Sequence, residues 1–316
     1  MMNQPIFLSP TFQERIWGGT KLATEFNYKI PSDITGECWA VSGHPNGQSI
    51  VKDGPFKGMS LGDLYQQHKE LFGNYKSDVF PLLTKILDAN DDLSVQVHPD
   101  DVYANKYENG ELGKTECWYV IDCEKDAEII FGHTAKTKEQ LSEMIENGEW
   151  ESLLTRVKVK PGDFFYVPSG TIHALCAGVL ILETQQSSDT TYRVYDYDRK
   201  DKEGNTRELH LEKSIDVTKV PHEGINVKPI VNELDGATIT TFIKEKYFSV
   251  YKWDITKSYK AKQDKHFLIG SVIGGEGQLI TESGSFSIGK GDHFILPNEL
   301  ESFIVEGNVS LIVSHP

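Results

Sequence analysis

The stretch Gly162-Asp163-Phe164-Phe165-Tyr166-Val167-Pro168 returns 129 positions later as Gly291-Asp292-His293-Phe294-Ile295-Leu296-Pro297. Each copy opens on a Gly-Asp turn, runs through aromatic and β-branched residues, and stops at a proline, which cannot donate to a sheet ladder. That is a short strand held between two turns. Its recurrence predicts two copies of one β-architecture, and 316 residues leave room for two cores. Continuing the alignment sets His173 against Ser302 and Gly170 against Glu299. The second copy therefore keeps the scaffold without the histidine, and chemistry is expected in the first. Pro221, Gly224 and Pro229 cluster between them and suggest a division into 1–220, catalytic, and 221–316, degenerate and without metal ligands.

Between these landmarks the chain reads as short strands cut by Gly, Pro and Asn, for instance at 93–98, 116–122, 164–168 and 266–273. Helices are few. Ser60 with Asp63 and Thr137 with Gln140 are capping signals ahead of apolar residues at helical spacing, and a third helix is expected over 209–217. No apolar run approaches the roughly 20 residues that span a bilayer, and the first ten residues lack the pattern of a secretory signal, so a cytoplasmic protein is expected. Cys38, Cys117, Cys123 and Cys176 form no CxxC pair and read as reduced thiols. A formal charge of -15 excludes nucleic acid and anionic membranes as natural partners. An anionic ligand would need a local basic pocket, which draws attention to lysines and arginines near any chemistry.

Three segments carry that chemistry. Over 93–98, alternation sets Leu93, Val95 and Val97 on one face and Ser94, Gln96 and His98 on the other. Taken alone, this is an ordinary half-exposed strand ending at Pro99, after which Asp100-Asp101 suits a helix start. Over 114–121, Lys114, Glu116 and Trp118 share a face of a strand that looks buried on both sides. A buried carboxylate needs a partner or a metal, so Glu116 is either in a simple ion pair with Lys114 or a ligand. The third segment, from Gly162 through Pro168 and Gly170 to His173, has the spacing G-x5-P-x-G-x2-H and resembles the second motif of the cupin superfamily. The expected fold is accordingly mainly β, two cupin-type jelly-roll β-barrels with a few short helices, and His173 is expected to point inward. Together Gln96, His98, Glu116 and His173 offer two imidazoles, a carboxylate and an amide oxygen, a credible set for a divalent metal. Zinc suits mixed N/O ligands. Two histidines and one carboxylate equally resemble the iron triad of oxygenases, so the ligands alone do not decide the reaction.

The segments Gln96-Val97-His98-Pro99-Asp100-Asp101, Lys114-Thr115-Glu116-Cys117-Trp118, Pro168 to His173, and Thr191-Tyr192-Arg193-Val194-Tyr195-Asp196 are similar, in order and spacing, to the successive signatures of type I mannose-6-phosphate isomerases. Arg15-Ile16-Trp17-Gly18-Gly19 and Gly36-Glu37-Cys38-Trp39 extend the resemblance over nearly the whole chain, and its length matches the short bacterial form. The resemblance implies one Zn2+ per chain on Gln96, His98, Glu116 and His173, and Arg193 as the catalytic arginine. It implies interconversion of mannose 6-phosphate and fructose 6-phosphate through a cis-enediol. Alternation from Thr191 sets Arg193 and Tyr195 on one face. Glu183 is then a candidate proton shuttle, and Lys114, Lys85 and Ser94 join Arg193 as candidate contacts to sugar oxygens or phosphate. A monomer or weak homodimer is expected. Two rivals are a cupin oxygenase, against which Gln96 and Arg193 count, and a non-catalytic sugar-binding cupin, against which the retained ligands count.

Overall fold

Glycine and proline turns cut the chain into strands that pair antiparallel and gather into three sheets in the computed structural model, which describes residues 3–200 and 204–316. A six-stranded sheet has the order Phe164–Val167, Glu116–Cys123, Val179–Gln186, Leu82–Ala89, Thr35–Ser42, Thr11–Gly19. A five-stranded sheet has the order Tyr192–Tyr195, Val95–Val97, His173–Leu175, Glu128–His133, Leu154–Lys158. Their facing sides share one core, in which Leu87, Trp118, Val120 and Ile181 of the first meet Ile129 and Leu175 of the second. The other side of the five-stranded sheet packs Val95, Val97, Ile130 and Ala174 against Leu141, Met144 and Ile145 of the helix Lys138–Glu146. The expected mainly β, cupin-type fold is what forms. The layers stay open, because Phe164–Val167 and Thr11–Gly19 each pair on one side only and do not meet to close a ring.

The ten-stranded sheet is built on two long strands, Leu268–Thr281 and Ser302–His315. Their first and second halves find different outer partners: His293–Leu296 and Ser249–Ile255 at one end, Gly284–Gly289 and Ser258–Lys262 at the other. The ladder is irregular between Val272 and Gly274, and Gly275 follows at φ 71° with its Cβ position 2.0 Å from the Asn308 carbonyl oxygen. Only glycine fits there. This bend lets Leu268, Val272, Leu279, Val309 and Leu311 converge on Trp253 and Phe294 in a single core. The strand expected at 266–273 thus runs on to Thr281, through glycines that sequence patterning reads as a stop. The sheet also takes in the strand Ile6–Ser9, which pairs with both His293–Leu296 and Ile50–Val51.

The repeat is reproduced bond for bond. Gly162 and Gly291 sit at φ 93° and 95°. Asp163 Oδ2 accepts from Lys160 N at 3.0 Å, and Asp292 Oδ2 accepts from Gly289 N at 2.9 Å. Gly162 and Asp163 exchange backbone bonds with Val120, as Gly291 and Asp292 do with Val272. The capping signals also hold: Ser60 accepts from Asp63 N, Thr137 from Gln140 N, and Asp100 from Tyr103 N. The helix expected over 209–217 begins only at Leu211, because His210 is bonded through its backbone and ring to Arg193. Among the described residues no helix is long and apolar enough to cross a membrane.

Candidate metal centre

Sheet register assembles the site. In the five-stranded sheet Gln96 lies directly opposite His173 on one side and Arg193 on the other, so the three share a row. Across from it, Glu116 lies opposite Gln185, and Trp118, Glu183, Lys85 and Trp39 form a second row over four strands. His98 and Pro99 follow directly on the strand Val95–Val97, and the His98 carbonyl then accepts from Gly170 N at 2.8 Å. Gly170 has φ 82°, and a Cβ there would lie 2.8 Å from the Val217 carbonyl oxygen. The Pro-x-Gly turn therefore ties two of the histidine-bearing segments together.

His98 Nδ1 donates to Thr190 O and His173 Nδ1 to Thr171 O, both at 2.9 Å. A carbonyl only accepts, so both rings present an Nε2 lone pair, and both lone pairs face Glu116. The separations are 3.3 Å from His98 to Oε2 and 3.2 Å from His173 to Oε1. All three side chains are buried, and His173 Nε2 has no hydrogen-bond partner. Lys114 Nζ lies 2.9 Å from Glu116 Oε2 and 3.1 Å from His98 Nε2. Burial alone would neutralise Glu116, but Lys114 and the two histidines hold it well below the usual carboxylate range. Burial and Lys114 push His98 down to about 3, so its ring is neutral, and its Nε2 lone pair accepts from Lys114. Two neutral imidazoles and an ionised carboxylate, with ligand atoms within 4.8 Å of one another, fit a divalent metal.

Around this cluster the inner face carries a row of paired charges. Lys85 Nζ sits between Glu37 Oε2 at 3.7 Å and Glu183 Oε1 at 3.9 Å, above the Trp39 ring. Glu183 Oε2 accepts from Trp118 Nε1 at 2.9 Å. Burial and the Glu116 charge raise Glu183 to about 7, and Lys114 and Lys85 only partly offset them. Burial also works against the charge of Glu37, but Lys85, Arg15 and the Trp39 ring N–H bring it down to about 2. Glu37 is an inner-face residue that sequence patterning passed over, although it stands in the segment Gly36 to Trp39. Gln185 is another: its Oε1 is buried without a partner, opposite Glu116. Alternation from Glu183 would have found it.

Two expectations need correction. Leu93 packs in the inter-sheet core and not with Val95 and Val97, because the ladder starts only at Val95. Ser94 precedes the ladder and is buried. Tyr195 does not share a face with Arg193. A bulge between them sets Tyr195 opposite Val95, where it stacks on Trp150 with ring centres 4.3 Å apart. Arg193 itself donates from Nη1 to Glu208 O at 2.8 Å and leaves Nε unpartnered, while Asp196 binds both Arg199 and Arg207.

Comparison with known proteins extends this picture. The family described as "Phosphomannose isomerase type I, catalytic domain" matches residues 6–126, and "Mannose-6-phosphate isomerase, cupin domain" matches residues 238–316. The mannose-6-phosphate isomerase ManA of Bacillus subtilis (strain 168) is 59% identical over 100% of both chains. The mannose-6-phosphate isomerase of Streptococcus mutans is 55% identical over 99% of both. The crystal structure of a mannose 6-phosphate isomerase from Bacillus subtilis superposes with a TM-score of 0.97, at 56% identity and 99% coverage of each chain.

Proposed function

The chain belongs to the type I phosphomannose isomerases, and from that premise we infer that it interconverts D-mannose 6-phosphate and D-fructose 6-phosphate. The observation that carries the reading is Glu116, wholly buried, paired with Lys114 through one oxygen and faced by the Nε2 atoms of two histidines. Gln96, His98, Glu116 and His173 would hold one zinc ion, Gln96 joining from its place opposite His173. Such an ion supplies Lewis acidity toward the two sugar oxygens between which a proton is exchanged.

The reaction moves one proton from C2 to C1 and one from O2 to O1, through a cis-enediol. Glu183 is assigned to the carbon-bound proton, because a carboxyl titrating near 7 can take and return it at neutral pH. Arg193 offsets negative charge that develops on the oxygens, or grips the phosphate; its unpartnered Nε leaves a donor for either task. Lys114 and Lys85 are assigned to sugar oxygens or phosphate, Lys114 also to proton traffic at O1 and O2, and Ser94 to a substrate contact. Trp39 and Trp118, both buried, keep bulk water from this face. Catalysis belongs to 1–220 in this assignment, and 221–316 carries no ligand.

The direct test is to mix the protein with mannose 6-phosphate and follow fructose 6-phosphate, with and without a chelator. Turnover that a chelator abolishes and zinc restores is expected. Absence of fructose 6-phosphate from metal-loaded protein would refute the reading. It carries with it a cytoplasmic enzyme acting as a monomer or weak homodimer, which light scattering on the purified protein can check for size.

A further inference from the structure

The ten-stranded sheet supplies none of His98, Glu116 or His173, yet one of its loops reaches toward their support. Tyr247, in the turn between the strands Ala237–Lys244 and Ser249–Ile255, donates its hydroxyl to Asp101 Oδ2 at 2.8 Å. The other Asp101 oxygen accepts twice, from Gly113 N at 3.0 Å and from Gln186 Nε2 at 2.9 Å. Gln186 in turn accepts from Thr115 N at 2.9 Å through Oε1, and its own N–H donates to the Thr115 carbonyl. Thr115 precedes Glu116, and its hydroxyl accepts from Ser169 N in the turn before His173.

Each bond in this series uses a donor or acceptor that has few alternatives. Asp101 opens the helix Asp101–Tyr107, two residues beyond Pro99, where its carboxylate also suits the helix N-terminus. Gln186 is buried, so a lost partner could not be replaced by water. The connection from Gly113 to Thr115 has no ladder of its own before the strand begins at Glu116, and Asp101 and Gln186 between them bind its N–H groups at 113 and 115.

We propose that Tyr247 is a positioning residue for the metal centre, acting through Asp101 and Gln186 to fix the segment that aims Glu116. The C-terminal unit then contributes to the site without a ligand of its own. This rests on the metal assignment above. Partners of metal ligands commonly change affinity by about 10- to 100-fold when removed, and Tyr247 stands further out, so an effect of about three- to tenfold is expected.

The test compares zinc release from the loaded full-length protein into an excess of a chromogenic chelator for the parent, Tyr247→Phe, Asp101→Asn and the double variant. Tyr247→Phe should release zinc about three- to tenfold faster, and Asp101→Asn at least as fast. The double variant should be no faster than Asp101→Asn, because the two lie in one series. General loosening of the C-terminal unit would instead multiply the two effects. Release from Tyr247→Phe within twofold of the parent, or multiplicative effects in the double variant, overturns the proposal. Melting curves of the four metal-stripped proteins show whether any of them has lost its fold. A parent that loads no zinc refutes the metal assignment itself, and this inference with it.

Discussion

Glu37 shows how a single buried carboxylate sets a pH limit on the whole protein. Its ordinary value of 4.5 falls to about 2 in the fold, so the folded state binds its proton less readily than the unfolded chain. The stability this contributes is fully present above pH 4.5 and is lost as pH falls toward 2, on the order of 3 kcal/mol in all. Denaturant titrations at pH 7 and pH 3 should show the larger part of that loss, about 2 kcal/mol, in the parent and a much smaller one in Glu37→Gln, which should already be weakened at pH 7. Glu183 is the opposite case. Raised to about 7, it is half protonated near neutrality, so kcat should fall as pH drops below 7 and the base is lost. Glu183→Gln should lower kcat by about 100-fold or more across the range, and Arg193→Ala should also lower kcat, both read in the fructose 6-phosphate assay. A variant at Arg193 with unchanged turnover would remove that residue from the mechanism.

At the scale of elements, what could be read in advance was whatever depends on neighbours in sequence. The caps at Ser60, Thr137 and Asp100 need only a side-chain oxygen and an N–H three residues on, and each formed as expected. The turn at Gly170 was legible for the same reason. Replacing it with alanine should cost about 2 kcal/mol or more, from a positive φ and a 2.8 Å clash, and should loosen bound zinc as well; melting temperature and metal content would show both. Illegible were the features set by distant partners. The bulge that turns Tyr195 from Arg193 follows from pairing with Val95–Val97, and the late start of that strand displaced Leu93. Glu37 meets Lys85 only because their strands lie side by side, and alternation within one strand gives no hint of it.

For the molecule as a whole, the candidate metal centre is a point of convergence for both N-terminal sheets, with His173 in one, His98 just past its strand Val95–Val97, and Glu116 in the other. Binding there should therefore stabilise the entire fold by mass action. Chelation should lower the melting temperature of the parent by several degrees and leave that of Glu116→Gln unmoved, as scanning calorimetry would reveal. The strand Ile6–Ser9 has a further consequence. It precedes every other described strand in the chain, yet finds its partner His293–Leu296 only after the strands between them have been made. A polypeptide of 221–316 would lack that strand, leave the outer N–H and C=O groups of 293–296 bare, and be prone to edge-to-edge aggregation. The two halves thus mature as one knot of mutual dependence, tied by its earliest thread.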